Sequence, residues 1–172
     1  MNRRAMRSTC VLRVVLLTFV AGSVAACGSL SAAPPRSPTT TAATTTARPR
    51  TLSQRYELVV STGDVQLQRL STQLNKANGN VAVIQTDFRE VAATYRHVAT
   101  QVQSLPFPAA AHVDVAAMTG ALAALVSDSE QGSQAVTPAQ FDAVFTKLAA
   151  DQKAEIAANN AVNHDLGING IS

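Results

Sequence analysis

The chain has 172 residues, 47% of them apolar, 15% charged and 4% aromatic, which is room for one domain. Two cysteines exclude a disulfide-stapled mini-protein, and the low charge density excludes a coiled-coil rod. The formal charge of +3 sits at the start: from Thr51 onward seven Lys/Arg stand against eleven Asp/Glu, so no clustered basic face points to a nucleic-acid partner.

Residues 1–26 read as an export signal. A basic stretch with Arg3, Arg4, Arg7 and Arg13 precedes an apolar run from Val14 to Ala26 that ends in small residues. That run is 13 residues long, against the roughly 20 needed to span a bilayer. Val24-Ala25-Ala26 then lead into Cys27, with Gly28 and Ser29 behind it. This arrangement resembles a bacterial lipobox. The resemblance implies that the Cys27 thiol carries a diacylglycerol thioether and that cleavage leaves Cys27 as the first residue of the mature chain. Cys10 lies upstream and is lost with the leader, which leaves no free thiol for catalysis. The partner implied first is therefore a membrane, through the lipid on Cys27.

Residues 27–50 carry the lipidated Cys27 and a linker of Thr, Ala, Pro and Ser without an apolar period. Such a segment cannot bury enough surface to offset its ordering entropy and is expected to be a disordered tether. Its length would set the domain roughly 25 Å from the lipid. The threonine clusters at 39–41 and 44–46, beside proline, resemble O-glycosylated stalks; an unmodified linker fits the composition equally well. Lipobox, Thr/Pro tether and an Ala-rich domain together resemble actinobacterial, especially mycobacterial, surface lipoproteins. That resemblance implies a location on the extracytoplasmic face of the cell membrane and covers the first fifty residues.

From Thr51 to Ser172 the period is helical. Tyr56, Val60, Gly63, Leu67, Leu70 and Leu74 recur at steps of three and four, as do Val81, Ile84, Phe88, Val91, Tyr95, Val98, Val102 and Leu105. Asn78-Gly79-Asn80 breaks the two seams apart, which predicts antiparallel neighbours. Thr51 with Gln54, and Thr137 with Gln140, have the spacing of capping boxes, and Pro138 suits a first helical position. Pro106-Phe107-Pro108 ends the second helix. A third helix is expected over about 109–132, with Val115, Met118, Leu122 and Leu125 as its seam. A fourth is expected over about 138–163, with Phe141, Phe145, Leu148 and Ile156. Four helices of similar length predict an all-α, up-down-up-down four-helix bundle over residues 51–172. Its 22 alanines predict close helix approach and little internal volume.

The chemistry is sparse. His97, His112 and His164 each lack a Glu three residues before, so the di-iron bundle motif is absent and no metal or other cofactor is expected; all three read as solvent-facing. Asp87 and Glu90 flank the second seam near Arg89 and read as a solvated face with local ion pairs. No phosphate loop or nucleophile elbow occurs, and Ser104, Ser127, Ser129 and Ser133 have no ordered base in view, so a non-enzyme is expected. Two features are unusual. The fourth helix turns polar at Gln152, Asn159, Asn160 and Asn163, a candidate interaction face. Phe107 sits between prolines, as a plug over the bundle or a contact point. The expected function is that of a lipid-anchored, non-enzymatic interaction or accessory module of the envelope, with an envelope protein as partner. The alternative is a carrier that binds an apolar small molecule or lipid between its helices.

Overall fold

The computed structural model describes residues 49–168. The expected leader, Cys27 and nearly all of the tether lie outside those residues. Four helices follow in order: α1 (Leu52–Lys76), α2 (Val81–Gln103), α3 (His112–Gly132) and α4 (Pro138–Asp165), with no strand among the described residues. The fold is the expected all-α four-helix bundle.

Each boundary has a local cause. Thr51 and Thr137 both form capping boxes, each Oγ1 accepting from a backbone N–H three residues on while the Gln side chain returns to the cap. The Asn80 side chain caps α2 by accepting from the Val83 N–H. Asn78 and Gly79 both take positive φ, 49° and 77°, which Asn and Gly tolerate best and which lets the chain reverse in three residues. At one boundary the sequence expectation shifts: residues 109–111 form a 3-10 turn, and α3 proper starts at His112. At the other, α4 runs on to Asp165.

α3 is the central element, packed along both α2 and α4, while α1 packs along α2. The α1 and α4 backbones stay more than 8 Å apart, Cα to Cα, over nearly all their length, and side chains bridge the gap. Two glycines mark the tightest approaches. A Cβ on Gly63 would lie 2.5 Å from Val98, and one on Gly132 would lie 2.7 Å from the Phe88 ring. The core falls into two clusters. Tyr56, Val98, Val102, Met118, Leu122 and Val162 fill one end. Leu74, Phe88, Ala135, Phe141 and Val144 fill the other, where the Phe88 and Phe141 rings stack 6.2 Å apart.

Candidate functional site

Between the two apolar clusters lies a polar layer. α4 supplies most of it, through Lys147, Asp151, Glu155 and Asn159. These four recur at intervals of four residues, so they run down one face of the helix. α1 adds Tyr56 and Asp64, α2 adds Tyr95, and α3 adds Asp128.

Asn159 is buried at 3% exposure, and its Oδ1 accepts from the Tyr56 hydroxyl at 2.6 Å. Met118 Sδ stands 2.9 Å from the same hydroxyl. This contact ties α1, α3 and α4 together inside the apolar cluster. A second tie, from Ser53 Oγ to the Leu166 carbonyl at 3.3 Å, joins the start of α1 to the end of α4. Burial pushes the Tyr56 hydroxyl well above its ordinary pKa, with Glu155 and Asp64 adding to the rise. Tyr95 is raised by the same causes.

One turn before Asn159, Glu155 is half-buried, and desolvation with the nearby Asp64 carboxylate pushes it up to about 7. Asp64 is raised by burial. Further along, Asp128 is 2% exposed, and its Oδ1 takes the Lys147 ammonium at 2.7 Å. Lys147 also donates to Gln131 Oε1 at 3.3 Å. The Asp128 carboxyl, with desolvation, raises the pKa of Asp151 against the lowering effect of Lys147.

The interaction face expected on α4 is therefore divided. Asn159 is satisfied inside the protein, Gln152 and Asn163 are half-buried, and Asn160 alone is exposed. Phe107 is half-buried, packs on the first cluster and meets Tyr56 edge-on at 5.9 Å, as a plug does. Beside it an open hollow of about 360 Å³ is lined by Gln103, Leu105, Pro106, Phe107, His112, Val115 and Ala116. All three histidines are exposed. Among the described residues no cluster of three His, Cys, Asp or Glu side chains could hold a metal.

Asp87 departs from the sequence reading. It is 7% exposed, and its Oδ2 has no hydrogen-bond partner. Burial raises its pKa, with Glu90 adding to the effect. It sits one residue before Phe88 on α2, and both are buried. Sequence spacing also gave no signal for Glu155 and Asp128, because their polar neighbours come from other helices.

α3 differs from the other helices on its outer side. Val113, Ala116, Ala117, Gly120, Ala123 and Ser127 are exposed along one face, and none carries a charge. The outer faces of the other helices bear charges, among them Arg55 and Arg69 on α1, Arg89 and Arg96 on α2, and Asp142 and Lys153 on α4. The segment 109–132 is apolar and long enough to pass as a membrane span by length and composition, yet only 22% of its most apolar stretch is buried. Comparison with protein-family models, curated proteins and solved structures found no match.

Proposed function

We propose that this protein is a lipid-anchored, non-enzymatic interaction module of the cell envelope, held at the membrane by Cys27 and working through the outer face of α3. The observation that carries this reading is the four-turn, charge-free, small-residue surface from Val113 to Ser127 on the most apolar helix. A soluble helix ordinarily places charge on its solvent side, and an uncharged apolar face is a contact surface by default. Small side chains there let a second helix come close. Gly120 fits the same use, since a Cβ built on it meets nothing within 4 Å and the fold has no need of glycine there.

Photo-crosslinking in intact cells tests the reading. A photoreactive residue at Ala116 or Ala123 should give one discrete crosslinked species, and the same residue at Thr62 or Gln66 on α1 should give none. Gly120→Arg should abolish the species without loss of helicity. Equal, diffuse labelling from both helices contradicts the proposal.

A further inference from the structure

The two ends of the bundle differ. Ser53 at the start of α1 bonds the Leu166 carbonyl at the end of α4, and Tyr56 meets the Phe107 ring, so the turn from α2 into α3 lies at the same end as Thr51. That turn is apolar: between Arg96 and Asp114 no Lys, Arg, Asp or Glu occurs. Pro106, Pro108, Ala109 and Ala110 are exposed, and Val113, just inside α3, is 77% exposed. The hollow of about 360 Å³ opens beside Leu105, Phe107 and Val115. Few backbone donors here need water. Pro106 and Pro108 have no N–H, and the N–H groups of Leu105, Phe107 and Ala111 donate to the Val102, Leu105 and Pro108 carbonyls. Such a segment suits the boundary of a bilayer, where unpaired donors are costly. The other end of the bundle exposes Asn75, Lys76, Asn78, Asn80 and Gln134 along with Val136.

We propose that the turn at 105–113 docks on the lipid bilayer, with part of an acyl chain in the hollow, so that the bundle stands on the membrane with the start of α1 lowermost. The inference rests on the anchor at Cys27, and the position of that anchor selects the occupant. Twenty-three residues separate Cys27 from Thr51, a flexible reach of roughly 25 Å. The turn lies at the end where this linker joins the bundle. The far end of α1, 25 residues on, is about 37 Å further away. The anchoring bilayer is therefore the apolar phase that the turn meets at high effective concentration, and a contact too small to hold a free protein suffices. The upright bundle carries the outer face of α3 up from the membrane, open to a protein partner.

Depth-dependent fluorescence quenching tests this. The chain has no tryptophan, so Ala110→Trp and Lys76→Trp each supply a single reporter at an exposed position, one at either end of the bundle. The mature chain, starting at Cys27, is coupled through that thiol to a maleimide-headgroup lipid in phosphatidylcholine vesicles with brominated acyl chains. Relative to unbrominated vesicles, the emission of Ala110→Trp should fall at least twofold and that of Lys76→Trp should not change. Adding Val113→Asp, at a position exposed enough to leave the fold intact, should remove most of the quenching. Equal emission changes at the two positions, no quenching of Ala110→Trp, or quenching unmoved by Val113→Asp overturns the docking. Because the coupling supplies the anchor chemically, such a failure leaves natural lipidation of Cys27 to be decided by palmitate labelling in cells.

Discussion

At the scale of single residues, the bundle is specified by a few contacts that admit no substitute. The Tyr56 hydroxyl and Asn159 Oδ1 satisfy each other in an apolar surround. Tyr56→Phe should therefore strand the Asn159 carbonyl and cost about 1–3 kcal/mol in chemical denaturation, more than the loss of one ordinary hydrogen bond. Two glycines make opposite predictions. Gly132→Ala drives a methyl into the Phe88 ring and should destabilise by about 1–3 kcal/mol. Gly120→Ala meets open space within a helix and should stabilise by up to about 1 kcal/mol. The same denaturation series measures both. If the two glycines behaved alike, the close approach of α2 and α3 at Phe88 would be wrong.

Among the helices, what was legible in the sequence was whatever depends on neighbours along the chain. The capping boxes at Thr51 and Thr137 are three-residue patterns, and the structure contains both. The Asn-Gly reversal and the proline break are equally local. Thr137→Ala should remove one of the caps and cost about 1 kcal/mol of thermal or denaturant stability. The seams of α1 and α2 were readable because leucine, valine and phenylalanine recur at helical spacing. α4 was harder, since its inner face carries Asp151, Glu155 and Asn159 among its apolar residues. In sequence, asparagine at a buried position looks like asparagine at a surface. What identifies Asn159 as interior is Tyr56, 103 residues away. Asp87 is a case of the same kind: its burial follows from how the helices pack, which the order of residues within α2 does not show. The polar layer assembles from all four helices, so no single helix announces it.

Over the whole molecule, two apolar clusters separated by an acidic layer make stability depend on pH in a definite direction. Glu155 rises from 4.5 to about 7 on folding. A raised acid binds its proton more tightly in the folded state, so its contribution is fully present below its ordinary pKa. It is lost as the pH climbs through 4.5 to about 7. One such proton gives a slope of up to about 1.4 kcal/mol per pH unit. Glu155→Gln should remove this part of the slope in denaturant titrations from pH 4 to pH 8. A stability that rises over that interval would contradict the buried placement of Glu155. The proposed role adds an arrangement in space: a lipid at Cys27, a Thr/Pro-rich linker, and helices that present the plain face of α3 away from their own core. The claim on which this arrangement rests is that Cys27 carries the lipid. Metabolic labelling with radioactive palmitate, followed by membrane fractionation, tests it most directly. The wild-type chain should be labelled and membrane-bound, and the Cys27→Ala chain unlabelled and released. An unlabelled wild-type chain, or a Cys27→Ala chain still bound to the membrane, would contradict it.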